Sequence, residues 1–319
     1  MTSEFDLIRR YFSRPAPHTV LGGGDDCALV RPAAGMLLAV STDTLVSDVH
    51  FFADADPALL GWKSLAVNLS DLAAMGAQPR WATLALTLPA VDESWLAAYA
   101  DGLYRCAQAY GISLVGGDTT RGKLSLTLTV IGEVPPDSAL RRDGAQVGDT
   151  VWVSGNPGDA AFALAALQGR IEIDSAKRSV LEARLHTPVP RVALGLALRR
   201  LAHSAIDVSD GLLADLGHIL VRSECGAVLD YAQLPLSPIV RELTQHPLFD
   251  RCVLAGGDDY ELCFTAAADA EAEILAIGAG LDVRLTAIGR IVAAPGLQLL
   301  DAEGRIMPAA VKGYEHFAS

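Results

Sequence analysis

The chain has 319 residues, 51% of them hydrophobic and 20% charged, with a formal net charge of −13. That length and apolar content predict two domains with sizeable cores. The acidic balance, with no basic stripe, excludes a nucleic-acid surface, and no apolar run approaches the ~18 residues of a membrane-spanning helix.

Residues 4–12 carry a short helical stripe, with Phe5, Ile8 and Phe12 on one side. Charges at Glu4, Asp6, Arg9 and Arg10 break the apolar core a secretory leader would need. Residues 21–26 are too glycine-rich for a regular element and predict a loop. Residues 27–30 and 36–41 read as strands around a turn with Pro32 and Gly35, and 45–52, with Asp48 and His50, as a loop. Residues 57–75 form the clearest helix. Pro57 suits its first turn and Gly76 its end, and Ser64, Val67 and Asp71 share one face. An acid in the last turn opposes the helix dipole, so Asp71 needs another reason to be there. Residues 81–88 read as a strand and 92–110 as an amphipathic helix. The runs 112–115 and 124–134 are rich in β-branched residues and read as strands.

Pro135-Pro136-Asp137-Ser138 marks a boundary between domains 1–137 and 138–319. Beyond it, 150–154 and 204–208 are predicted strands. Residues 160–167, 173–185 and 191–202 are predicted helices, and Ser209 is read as the cap of a helix reaching about 223. Residues 226–230, 251–255 and 260–266 read as strands, 268–278 as a helix, and 283–291 and 297–307 as the last strands. The alternation predicts an α/β chain with mixed sheets. The β-branched 124–134 run would be a hazard as a bare edge, so a homodimer burying strands of the first domain is expected.

The five cysteines include no C-x-x-C pair. They predict buried free thiols in a reducing cytoplasm rather than a disulfide framework or a zinc site. There is no G-x-x-x-x-G-K-[ST] and no G-x-G-x-x-G after a strand, so no glycine cradle for phosphate is expected. Acids instead recur at the ends of predicted apolar runs: Ser41-Thr42-Asp43, Gly117-Asp118, Asp207-Val208-Ser209-Asp210 and Gly257-Asp258-Asp259. Gly24-Asp25-Asp26 and Asp71 join them. Singly, each motif reads as a turn or a helix cap. Six in one acidic chain point to hard cations, above all Mg²⁺, which takes one or two carboxylates plus water and substrate phosphates. Arg141 and Arg142, just past the boundary, are either a solvated pair or a phosphate clamp.

These residues resemble a known family. Gly24-Asp25-Asp26, Ser41-Thr42-Asp43-Thr44, His50-Phe51, the run from Lys63 to Gly76, Gly116-Gly117-Asp118-Thr119-Thr120, Asp207-Val208-Ser209-Asp210-Gly211-Leu212, Gly256-Gly257-Asp258-Asp259-Tyr260-Glu261-Leu262 and Lys312-Gly313-Tyr314 resemble the thiamine-monophosphate kinases, across nearly the whole chain. The resemblance implies the two-domain fold of the aminoimidazole-ribonucleotide-synthetase superfamily, with the N-terminal sheet pairing in a homodimer. It implies ATP-dependent, Mg²⁺-assisted phosphorylation of thiamine monophosphate. By motif, Asp26, Ser41, Thr42, Asp43, Asp71, Asp118, Asp207 and Asp210 would hold several Mg²⁺ ions, and Gly117, Asp118, Arg142 and Ser209 would touch ATP. His50, Asp258 and Tyr314 would meet thiamine monophosphate; Asp43, Asp118, Asp210 and Arg142 would carry the chemistry. One departure is Asp258, where the family often has Glu. An alternative is a related ATP-dependent ligase acting on an amide or amidine. A third reading is a non-catalytic cation-binding protein. Selenophosphate synthetases need a reactive Cys near the glycine loop, and Cys27 reads as structural. Hydrogenase-maturation relatives end in a catalytic Cys, whereas this chain ends His316-Phe317-Ala318-Ser319.

Overall fold

A computed structural model describes residues 4–307. The chain divides into two compact units: residues 1–72 with 77–137, and residues 138–319 with the short stretch 73–76. Tyr314, assigned by resemblance to the acceptor, lies outside the described residues.

The first unit contains α1 (Glu4–Leu7), β1 (Thr19–Leu21), β2 (Leu29–Val30), β3 (Leu37–Val46), α2 (Pro57–Ala74), β4 (Gln78–Leu88), α3 (Glu93–Tyr110), β5 (Ser113–Arg121) and β6 (Ser125–Val134). Its main sheet runs β3-β6-β4-β5. The β3–β6 and β6–β4 pairs are antiparallel, while β4 and β5 are parallel and joined through α3. The run 125–134 is therefore an interior strand, and the edge hazard expected of it does not exist. Leu126, Leu128 and Val130 alternate into the core with Leu84 and Leu86 of β4, and Leu65, Leu69, Leu96 and Leu103 of the two helices are equally buried. Gly61 and Gly102 bring α2 and α3 into backbone contact. A Cβ at Gly61 would meet Tyr99 O at 2.1 Å, and one at Gly102 would meet Ala58 O at 1.8 Å. Asp92 caps α3 by accepting from Ser94 N and Trp95 N. The opposite sheet face is open: Val40 is 61% exposed, and Thr42 and Thr44 meet Thr129 and Thr127 through hydroxyl bonds of 2.8 and 2.9 Å.

The second unit holds β7 (Thr150–Ser154), α4 (Asp159–Leu167), α5 (Ser175–His186), α6 (Val192–Leu198), β8 (Ala202–Val208), α7 (Leu212–Arg222), β9 (Gly226–Asp230), α8 (Pro238–Arg241), α9 (Phe249–Ala255), β10 (Glu261–Ala266), α10 (Glu271–Leu281), β11 (Leu285–Val292), β12 (Gly296–Leu300) and β13 (Ile306–Met307). Its sheet runs β13-β12-β9-β11-β7-β10-β8, with only β12–β9 parallel. The core gathers Val151, Phe162, Leu181, Ile206, Leu216, Leu229, Val253 and Ile288. Residues 251–255, expected as a strand, form the end of helix α9. A short apolar run fits either element; here Phe249, Cys252 and Val253 are buried at helical spacing. Four cysteines are buried, but Cys27 is exposed and not the structural core residue expected.

Candidate active site

In the first unit, the acids are organised by α2 lying against β3. Ser41, Asp43 and Leu45 alternate onto the face that α2 covers, whereas Thr42 and Thr44 face the other way. Ser41 Oγ donates to Asp71 Oδ2, and Asp43 N donates to Asn68 Oδ1 at 3.0 Å. Asn68 is fully buried and in turn donates through Nδ2 to Ser64 O at 2.9 Å. Ser64 Oγ lies 3.0 Å from Tyr99 OH. Asn68, backed by Ser64 and Tyr99, thus holds the backbone of Asp43, and the Ser41 hydroxyl partners Asp71, an acid at the wrong end of a helix dipole.

Ser41-Thr42-Asp43 is not a strand tip, as expected, but the middle of β3. Thr44 to Val46 continue the ladder against Ser125 to Thr127. The same holds for Asp118: Gly116 to Arg121 stay paired with β4, and Asp118 shares a row with Ala85, Thr127 and Thr44. Asp118 therefore sits on β5, three strands away from β3, and Thr42 pairs with Thr129 rather than converging with Ser41 and Asp43. A Cβ at Gly117 would meet Leu84 O at 1.9 Å, so the close β4–β5 approach alone requires glycine there. Asp26 lies in an exposed loop, its N–H held by Asp25 Oδ1 at 2.9 Å. His50 Nδ1 accepts from Val46 N at 3.0 Å, which leaves the proton of a neutral ring on Nε2.

In the second unit, β8 does deliver acids at its end. Asp207 is 4% exposed, and Ser209 and Asp210 follow the last strand residue. Contrary to expectation, Ser209 does not cap α7; Gly211, at φ 117°, holds that position. Asp215, missed in the sequence reading, holds the turn instead: its Oδ2 accepts from Ser209 N, Asp210 N and Gly211 N at 3.0, 3.0 and 3.1 Å. Burial pushes its carboxyl up to about 6, against the pull of these N–H groups. The stretch 256–260 runs beside this turn. Asp258 N donates to Ser209 O at 2.9 Å and Tyr260 N to Val208 O at 2.8 Å. Asp258 and Tyr260 both adopt left-handed backbone, φ 68° and 50°, and Tyr260 OH donates to Asp258 Oδ1 at 2.9 Å. Strain of this kind, roughly 1–3 kcal/mol per residue, collects at functional segments. Arg142 is exposed, and its carbonyl accepts from Ser223 Oγ at 2.9 Å.

Behind this segment lies a second set of acids. Asp259 takes Gly158 N on both oxygens, at 3.0 and 2.8 Å. Burial drives its carboxyl well above the usual range, opposed by that N–H and reinforced by Asp159, Glu261 and Asp258. Asp159 is 5% exposed, and its Oδ1 has no hydrogen-bond partner among the described residues. Burial pushes it up to about 6, against Ser237 and Arg184. A carboxyl raised from 3.8 to about 6 takes up a proton on folding between roughly pH 4 and 6. Its stabilising contribution is complete below pH 4 and lost as pH rises through 6. Asp159→Asn is therefore expected to flatten the loss of stability from pH 5 to 7 by about 1 kcal/mol. Urea unfolding at both pH values measures this, and equal slopes in the two proteins would refute the assignment.

Among the described residues, no three His, Cys, Asp or Glu side chains gather closely enough to hold a metal ion by themselves. Mg²⁺ does not ask for three, because water and phosphate oxygens complete its shell. The hard-oxygen corner of Ser41, Asp43 and Asp71 fits such an ion, as does the end of β8 with Asp207 and Asp210.

Residues 24–134 match the family described as AIR synthase related protein, N-terminal domain, and residues 146–301 match its C-terminal domain. The thiamine-monophosphate kinase of Escherichia coli (strain K12) is 49% identical over 99% of this chain and 98% of its own length. The chain belongs to the thiamine-monophosphate kinase family. The crystal structure of the enzyme from Stenotrophomonas maltophilia K279a is 49% identical, with a TM-score of 0.86 over 94% of this chain and 95% of that one. AaThiL complexed with AMPPCP and TMP is 29% identical, with a TM-score of 0.79 over 98% of this chain and 96% of that one. The family thus carries the expected two-domain α/β fold with mixed sheets. No described helix is long and apolar enough to cross a membrane.

Proposed function

We propose that the chain phosphorylates thiamine monophosphate to thiamine diphosphate, with ATP as donor, by direct transfer. The observation that carries this is the likeness, over 98% of the chain, to AaThiL complexed with AMPPCP and TMP, an ATP analogue and the acceptor together. The acid-rich turns support it, because a triphosphate meeting a phosphate monoester must have its charge neutralised.

Asp43, Asp71 and Ser41 on one corner, and Asp207 and Asp210 at the end of β8, would hold Mg²⁺; Asp26, Thr42 and Asp118 join this set by resemblance. Bound there, the ions supply charge neutralisation for the phosphoryl groups. Gly117, Asp118, Arg142 and Ser209 are assigned to the nucleotide, and His50, Asp258 and Tyr314 to the acceptor. A phosphate monoester has its second pKa near 6, so the nucleophile is already an anion at neutral pH and needs no general base. His50 is consistent with that. Its Nδ1 is engaged by Val46 N–H, so that nitrogen does not take the acceptor's proton, and His50 orients the acceptor instead of deprotonating it. Tyr260 steadies Asp258, whose side chain is one methylene shorter than the family's frequent Glu.

The reading includes a homodimer formed through the first unit's sheet. The support is the open face, with Leu38 43% and Val40 61% exposed, rather than the edge argument. It also includes work in the cytoplasm, in keeping with five cysteines that are all free. Incubating the full chain with Mg²⁺, ATP and thiamine monophosphate should release ADP and thiamine diphosphate in equal amounts. Nucleotide turnover with an amide or amidine acceptor, but none with thiamine monophosphate, would overturn the reading in favour of the ligase alternative.

A further inference from the structure

Three successive backbone N–H groups that converge on one point form an anion-binding nest, the device that phosphate loops use. The turn Ser209-Asp210-Gly211 is such a nest, and it is already filled from inside the chain. Asp215, on the first turn of α7 and 2% exposed, places Oδ2 within 3.1 Å of all three nitrogens. The backbone there has little freedom to rearrange. Gly211 sits at φ 117°, and a Cβ on it would lie 2.7 Å from Ala255 C and Cα. The next segment is tied to the same turn through Asp258 N and Ser209 O.

We propose that Asp215 is the positioning residue of the nucleotide site: by filling the nest it converts a phosphate cradle into a cation-binding turn. With these amides consumed, Ser209, Asp210 and Asp207 face the triphosphate with carboxylates and a hydroxyl, and phosphate reaches the turn only through divalent cations. The chain thus uses the geometry of a phosphate loop with the opposite charge. It has no glycine-lysine cradle elsewhere, and this turn does not supply one. The inference rests on the reading that Ser209 and Asp210 serve the nucleotide.

The test uses the full chain, with Mn²⁺ and a non-hydrolysable ATP analogue as probes, followed by calorimetry and manganese electron-spin resonance. Asp215→Asn keeps the shape and removes the charge. It is expected to weaken Mn²⁺ binding in the presence of the analogue by roughly 10–100-fold, the usual range for a group that orients metal ligands. Thiamine monophosphate binding should change less, by no more than a few-fold, since the hydrogen bonds of Asp215 go to Ser209, Asp210 and Gly211 and not to Asp258. Asp215→Ser vacates the nest and is expected to bind the analogue in the presence of chelator, where the wild type does not. Circular dichroism and melting curves establish that both variants are folded. A folded Asp215→Asn protein with wild-type Mn²⁺ affinity overturns the proposal, as does an equal loss of Mn²⁺, nucleotide and acceptor binding, the mark of a merely structural role. If the wild type itself binds no Mn²⁺-nucleotide, the reading of the nucleotide site fails, and the proposal falls with it.

Discussion

Asp43→Asn is expected to lower turnover roughly 100-fold or more while leaving the fold intact. The fold should survive because what β3 needs from this residue is its backbone. Asp43 pairs with Leu128 in the ladder, and its N–H is taken by Asn68 Oδ1. An amide of nearly the same shape disturbs neither contact. What is lost is one full negative charge on the corner shared with Ser41 and Asp71. Electrostatic stabilisation of transferring phosphoryl groups is among the largest catalytic contributions, and one misplaced or missing group costs about 10²–10³ in kcat. Steady-state rates at saturating ATP and acceptor, across a Mg²⁺ titration, check this beside a melting curve. Turnover within a few-fold of wild type at ordinary Mg²⁺ would remove Asp43 from the metal corner.

Much of this corner was legible in the residues themselves. The helix read over 57–75, its stop at Gly76 and the odd position of Asp71 follow from periodicity and dipole arguments; the helix runs over Pro57–Ala74, and Asp71 accepts from Ser41 Oγ. Where the strands stop was not legible. Thr44-Leu45-Val46 continue β3 because Ser125 to Thr127 are there to pair with them, and no local pattern announces a partner 80 residues away. Gly117-Asp118 reads as the end of an apolar run, yet the strand continues through it, and at Gly117 two backbones come too close for a side chain. Residues 251–255 failed for the same reason in reverse, since burial on both sides erases the period that separates helix from strand. Asn68 and Asp215 were missed because a polar residue inside a predicted helix carries no local mark of the backbone groups it will serve.

The largest expected effect on stability belongs to Arg191. Its Nε and Nη2 donate to Glu261 Oε2 and Oε1 at 2.6 and 2.5 Å, in a bidentate pair whose side chains are only 13% and 10% exposed. Ser154 Oγ donates to the same Oε2 at 2.5 Å and accepts from Leu262 N at 2.9 Å, tying the pair into β7 and β10. Glu261 packs directly over Gly155, where a Cβ would lie 2.0 Å from its Oε1. Asp159 and Asp259 are its electrostatic neighbours, so the region already carries more acid than base. Arg191→Leu would leave a sheltered carboxylate without its counter-charge beside two buried acids, at an expected cost of about 3–5 kcal/mol, a large part of the roughly 5–15 kcal/mol that holds a domain of this kind together. Much of that cost comes from the orphaned charge rather than from the lost bond. Arg191→Leu combined with Glu261→Gln should therefore recover part of the stability, because the glutamine keeps the hydrogen bond from Ser154 and carries no charge. Urea titrations of the two variants decide between the possibilities. A single variant that loses less than about 1 kcal/mol would mean that Glu261 finds water or a proton without strain. A double variant no more stable than the single one would mean that the bidentate geometry itself, rather than the compensated charge, holds β10 beside α6.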